Sequence, residues 1–200
     1  MNENFPLFPQ DIAWEEAQAA LNSLDLSDGL PMVPPTLDRL DAMISGRGAP
    51  DQSFGHLMPL MGELTLEAVA YNCILAGCRP EELPVVLTAA EACTDDDFNL
   101  LGVLSTTGTP TVAVCVHGPL VTQLGMNTGS NVLGPGNRAN ACIGRAVSLI
   151  MRNVAGAKPG APIWRRWGSP GNTRSVSQKP RIPVFHLCRS GADSARRRVA

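Results

Sequence analysis

The chain has 200 residues, enough for one domain with a substantial core, and 44% of them are hydrophobic, as in a globular protein. Aromatics make up only 4%, so the core must come from Leu, Val, Ala, Ile and Met, and no apolar run approaches the length of a membrane span. The formal net charge is −2, and the acidic, proline-broken start MNENFPLFPQDIAWEE does not read as a signal peptide, so a cytoplasmic protein with no membrane partner is expected.

DIAWEEAQAALNSL spaces Ile12, Ala13, Ala17, Ala20, Leu21 and Leu24 as a helix does, with Asp11 as the expected cap. SDGLPMVPPT follows as a turn. Thr36 can cap LDRLDAMI, whose Leu37, Leu40, Met43 and Ile44 share one face. GRGAPDQSFG reads as loop. TLEAVAYNCILA predicts a helix from Thr65, with Gly77 just past its end as a C-cap. CRPEELPVVLTAAEAC restarts a helix, with Pro80 at its first position and Glu81 and Glu82 in its first turn. TDDDFNLLGVLSTTGTP reads as a polar loop with a short apolar insert. TVAVCV is β-rich and apolar on both faces, which predicts a buried strand closed by HGP. LVTQLG allows one or two helical turns.

The stretch GSNVLGPGNRANACIGRAVSLIMRN comes next. Asn137 is a good N-cap for an amphipathic helix carrying Ala139, Cys142, Ile143, Ala146, Val147, Leu149 and Ile150 on one face. Gly134 and Gly136 stand just before it. A glycine-rich turn feeding a helix N-terminus presents N–H groups and the positive end of the helix dipole, which suits a phosphate or carboxylate. Arg138, Arg145 and Arg152 are seven apart and share a stripe, and Arg138 is near enough to the N-terminus to clamp an anion. The motif itself is weak. GPGNRA fits G-x-G-x-x-A, but no acidic residue follows at the dinucleotide distance, and G-K-[ST] is absent. An ordinary tight turn, with the asparagines bonding backbone and the arginines facing water, accounts for the same residues equally well.

Six cysteines, at 73, 78, 93, 115, 142 and 188, lie in apolar or helical stretches without C-x-x-C spacing, which predicts reduced thiols. Cys78 sits beside Arg79 and just before the Pro80 helix start. Both neighbours favour thiolate, so Cys78 is the candidate reactive thiol; the competing reading is a small buried hydrophobe. His117 ends the expected strand, where α/β folds line their clefts, although a histidine bonding its own turn is the favoured reading. His56 falls in loop. Asp95, Asp96 and Asp97 can bind a hard cation, but such runs are more often solvated loops. No zinc spacing, Ser/His/Asp order or aromatic stacking platform occurs, and the residues name no cofactor.

Four segments, DGLPMVPPT (28–36), AGCRPEELPVVLTAAEA (76–92), HGPLVTQLGMNTGSNVLGPGNRANACIGRA (117–146) and LIMRNVAGAKPG (149–160), occur in order with few gaps. In these the chain resembles a poorly characterised family of soluble bacterial proteins associated with UGSC-type selenoproteins or thiol proteins. The resemblance implies a thiol or selenoprotein partner. It carries over no catalytic residue. The family's recurrent polar positions correspond to Cys78, Arg79, Asn127, Asn131, Gly134, Gly136, Arg138 and Asn140.

Beyond GAKPG the family continues as DMATMG and then KYTFCFA, where this chain reads IWRRWG and NTRSVSQ. Codons for the latter pair can encode the former when read one frame over, so a one-base frame change is expected near Pro162. The composition agrees, since wrong-frame reading of G+C-rich DNA yields Arg, Pro, Ser, Gly and Ala. Met1 to Asp97 holds 17 acidic and 3 basic residues, whereas Phe98 to Ala200 holds 1 acidic and 13 basic, nine of them after Ala161. A basic tail can signal nucleic-acid binding, but an out-of-frame tail removes support for that reading.

The expected fold is therefore α/β or α+β, predominantly helical with few strands. It comprises a C-terminally incomplete globular domain over 1–161 and an out-of-frame, disordered tail over 162–200. The expected function is a small-molecule enzyme that holds an acidic or phosphorylated ligand at Gly134–Arg138, with Cys78 or His117 lining the same cleft. The alternative is a non-catalytic subunit or binding module serving a thiol or selenol partner. A basic-tailed nucleic-acid binder ranks below both.

Overall fold

The computed structural model describes residues 5–105, 110–132 and 134–158; the tail expectations, with Cys188, lie outside them. Its centre is the helix α3, Leu66–Ala76, on which every residue except Glu67 is buried. A helix apolar on all sides needs neighbours on all sides. Those neighbours are α2 (Leu37–Ile44), α4 (Leu83–Ala92) and the long α7 (Arg138–Asn153), with α7 making the largest contact. The helix α1 (Trp14–Ser23) adds Ala17 and Leu21 to the core, and the short helices α5 (Leu100–Ser105) and α6 (Pro119–Gln123) complete the set. Tyr71, fully buried on α3, packs its ring 4.9 Å from that of Phe5 and donates its hydroxyl to the Pro6 carbonyl at 2.9 Å.

Helices occupy 48% of the described residues, and the only sheet among them is the antiparallel pair β1 (Ser53–Leu57) and β2 (Gly62–Thr65). This is the single, predominantly helical domain with few strands that the composition predicts, and its two antiparallel strands make it α+β. The expected caps at Thr36 and Asn137 form, and Thr65, the expected first residue of its helix, instead caps it, each of the three side chains accepting a backbone N–H of the first turn.

Four local expectations are corrected. Asp11 does not cap α1; the N-cap is Ala13, without a side-chain bond. The segment read as loop after Gly46 supplies β1, and the insert FNLLGVLS forms α5. TVAVCV does not form a strand. A strand needs a neighbour to take its alternating N–H and C=O groups, and among the described residues only β1 and β2 make that exchange. Residues 110–116 instead run without a ladder, with Val112 and Ala113 buried against the core.

The β1–β2 turn packs on the C-terminal end of α7. The Leu60 N–H donates to the Ala155 carbonyl at 3.2 Å, and a Cβ on Gly62 would lie 1.8 Å from the Val154 carbonyl oxygen. Backbone on backbone cannot give way as a side-chain tip can. Gly62→Ala is expected to cost about 2–3 kcal/mol in denaturant unfolding; a neutral result would mean that the turn can lift off α7.

Candidate functional site

Gly77 is where the sequence-predicted residues meet. Its φ of 82° puts it in the left-handed region, and it ends α3 in a Schellman motif. The Gly77 N–H donates to the Ile74 carbonyl and the Cys78 N–H to the Cys73 carbonyl, both at 2.9 Å. Arg79 then caps the short 3₁₀ turn Pro80–Glu82 through its backbone, its N–H donating to Glu82 Oε2 at 2.9 Å. The Arg79 side chain is exposed.

Arg138, the first residue of α7, closes the corner from across the fold. Its Nη1 donates to the Gly77 carbonyl and to Glu82 Oε2, both at 3.2 Å, and its Nη2 donates to Glu82 Oε1. The side chain of Glu82 is 1% exposed and that of Arg138 38%. The fork–fork pairing supplies the buried carboxylate with a matched countercharge, and the Glu82 bond holds the Arg138 pKa above its ordinary value. A guanidinium has five N–H donors. Among the described residues, oxygens take both donors on Nη1 and one on Nη2, and none takes Nε–H or the second Nη2–H. The thiol of Cys142, one turn further along α7, lies within hydrogen-bonding reach of the guanidinium. The Cys142 Sγ also lies 3.7 Å from where a Gly77 Cβ would be.

The other two arginines of the α7 stripe turn away from water. Arg145 donates to both carboxylate oxygens of Asp28 at 2.8 Å, to the Pro31 carbonyl at 3.0 Å and to the Leu30 carbonyl at 3.3 Å. Arg152 pairs with Asp25, and Lys158 approaches the same carboxylate at 3.0 Å. The basic helix thus meets the acidic first half of the chain side chain by side chain.

The Gly-Asn loop before α7 uses its asparagines on itself. Asn140 and Asn127 pair reciprocally: the Asn127 N–H donates to Asn140 Oδ1 at 3.1 Å, and Asn140 Nδ2 donates to the Asn127 carbonyl at 3.0 Å. Asn131 Nδ2 donates to the Pro135 carbonyl at 2.8 Å, and Asn137 Nδ2 to the Gly125 carbonyl at 2.8 Å. Gly134 is needed for space, since a Cβ there would fall 1.6 Å from Asn131 Oδ1, and Gly136 turns the chain at a φ of 118°. These bonds match the tight-turn reading and hold the N-terminus of α7 in place. Arg138 therefore reaches Glu82 and the Gly77 carbonyl as well as the open side of the corner.

The thiols are held protonated. The Cys78 pKa is raised well above its ordinary value, first by a hydrogen bond with the Cys73 thiol and then by burial; Arg138 opposes this but does not overcome it. That is the reverse of the lowered pKa expected from its place beside Arg79 and a helix start. The start is a 3₁₀ turn whose N-cap N–H is already taken by the Glu82 carboxylate, and that negative charge disfavours thiolate. Cys142, half-buried, is also raised, mainly by desolvation. His117 is exposed ahead of α6, and the strand meant to carry it into a cleft does not form.

Burial pushes Cys93 up to about 12, and its thiol donates to the Ala89 carbonyl at 3.2 Å. An unfolded thiol titrates near ~8.5. The stabilisation from keeping Cys93 neutral is complete below that value and is lost as pH rises toward 12. Melting temperature should therefore fall between about pH 9 and 12, less steeply in Cys93→Ala; equal slopes would remove Cys93 as a source.

No group of side chains among the described residues has the make-up to hold a metal ion, and no described helix is long and apolar enough to cross a membrane. Comparison with known proteins finds no matching family model, no matching curated protein and no matching solved structure.

Proposed function

We propose that the Gly77 corner binds the acidic or phosphate group of a small molecule, as the site of a small-molecule enzyme whose ligand sits between Arg138, Cys142 and Cys78. One observation carries this reading. Arg138 is anchored on one side by Glu82 and the Gly77 carbonyl, while its side chain stays 38% exposed with two donors not taken by oxygens of the described residues. An anchored guanidinium loses little side-chain freedom on gripping an oxyanion. Gly134, Gly136, Asn127, Asn131 and Asn140 take part by fixing where α7 begins, and Arg79 by completing the 3₁₀ turn that carries Glu82.

The raised thiols favour a second reading: a binding module, serving a thiol or selenol partner, in which Cys78 and Cys142 line the site without acting as nucleophiles. The two readings separate on alkylation. A ligand that brings a Cys78 or Cys142 labelling pKa down toward neutrality supports the enzyme, and unchanged labelling supports the module.

Titration calorimetry with inorganic phosphate tests the shared premise. Arg138→Lys keeps the charge but loses the fork, and should weaken phosphate binding about tenfold while the protein remains folded by circular dichroism. No phosphate binding by the wild-type chain, or equal binding by the lysine variant, would overturn the assignment.

A further inference from the structure

The Schellman cap of α3 carries two thiols that face each other. In this motif the third residue from the helix end and the second residue beyond it usually make a side-chain contact; here those residues are Cys73 and Cys78. Their backbones are joined by the 2.9 Å bond from the Cys78 N–H to the Cys73 carbonyl, and Cys73 is the largest influence raising the Cys78 pKa. A disulfide requires close α-carbons and β-carbons aimed at each other. The backbone hydrogen bond between the same two residues keeps their backbones close, and the Schellman turn favours contact between their side chains. Cys142 meets the corner differently. It approaches from α7 against Gly77, and its thiol is engaged with Arg138.

We propose that Cys73 and Cys78 form an oxidisable dithiol whose product is an intramolecular disulfide across the C-cap of α3. The oxidant is a hydroperoxide, small enough to reach a nearly buried sulfur. Cys78, 9% exposed against 0% for Cys73, meets it first. The Cys78 thiolate attacks the peroxide oxygen, the O–O bond breaks, and with hydrogen peroxide one water leaves a sulfenic acid. The Cys73 sulfur then attacks the Cys78 sulfur, the S–O bond breaks and a second water leaves. Two thiols lose two hydrogens and two electrons, and one peroxide becomes two waters. Because the Cys78 thiol is held protonated at neutral pH, the reaction is slow there and accelerates with pH. The Gly77 carbonyl between them accepts from Arg138, so the bond forms beside that guanidinium. The inference does not depend on anion binding at Arg138.

The test uses the intact wild-type chain, which avoids any variant that fails to fold. Folded protein is exposed to hydrogen peroxide at several pH values, then alkylated with one label before reduction and another after it. Mass spectrometry should show Cys73 and Cys78 blocked together, a peptide lighter by two hydrogens, recovery with dithiothreitol and a rate that rises toward alkaline pH. Cys142→Ala should form the same bond at a similar rate. A disulfide joining Cys78 to Cys142, a sulfinic acid on Cys78 with Cys73 still reduced, or both thiols intact when Cys142 is fully oxidised would each overturn the proposal.

Discussion

Arg145→Ala is expected to destabilise the fold by about 3–5 kcal/mol and to lower Tm by roughly 10 °C or more. The side chains of Arg145 and Asp28 are only 14% and 6% exposed, and they share two parallel 2.8 Å bonds. Arg145 also closes the carbonyls of Leu30 and Pro31. Truncating it strands a buried carboxylate and removes a partner from each of two carbonyls. Desolvation makes an unpaired buried charge far costlier than the pair itself is stabilising. Arg145→Lys should lie in between, because an ammonium cannot span both oxygens and both carbonyls. The check is urea unfolding at neutral pH. A loss under about 1 kcal/mol would place the pair with exposed salt bridges and mean that the 28–31 turn does not depend on α7.

The second large effect is an asymmetry at the Gly77 corner. Arg138→Ala should cost about 3 kcal/mol, because it leaves Glu82 charged and buried. The double variant Arg138→Ala/Glu82→Leu should recover at least half of that, since an apolar side chain at this buried position leaves no charge behind. In a double-mutant cycle the single costs then do not add. Additive costs would show that the two side chains do not act as a pair, and would weaken the view of Arg138 as an anchored anion grip.

How much of this was legible beforehand differs by element. Thr36, Thr65, Gly77 and Asn137 mark helix ends through local chemistry, and each marks one in the structure. The Cys78–Arg138 neighbourhood was foreseen only as a possibility, because nothing local links residue 78 to residue 138. Glu82 was missed as its centre. In the chain it reads as an ordinary first-turn acid, and only the packing of α4 on α7 turns it into a buried counterion. Cys142 read as one more apolar position on α7. The hairpin was missed because Ser53–Leu57 contains Gly55 and lacks alternation, and TVAVCV was misread because β propensity says nothing about the presence of a partner. The equal standing of the tight turn and the anion site was a fair reading of the Gly-Asn stretch: the asparagines serve the turn, and Arg138 alone reaches the corner.

The pairing of α7 with the acids of the first half also bears on the order of events during synthesis. Arg138, Arg145 and Arg152 find their carboxylates 56, 117 and 127 residues back along the chain. Until α7 has left the ribosome, Asp25, Asp28 and Glu82 lack their arginine partners, and α3 lacks its largest cover. The emerging chain is at that stage a polyanion with an uncovered apolar helix. Its like charges repel, which opposes early collapse. Such late, long-range closure slows folding, and added salt should speed refolding from urea while it weakens the finished pairs.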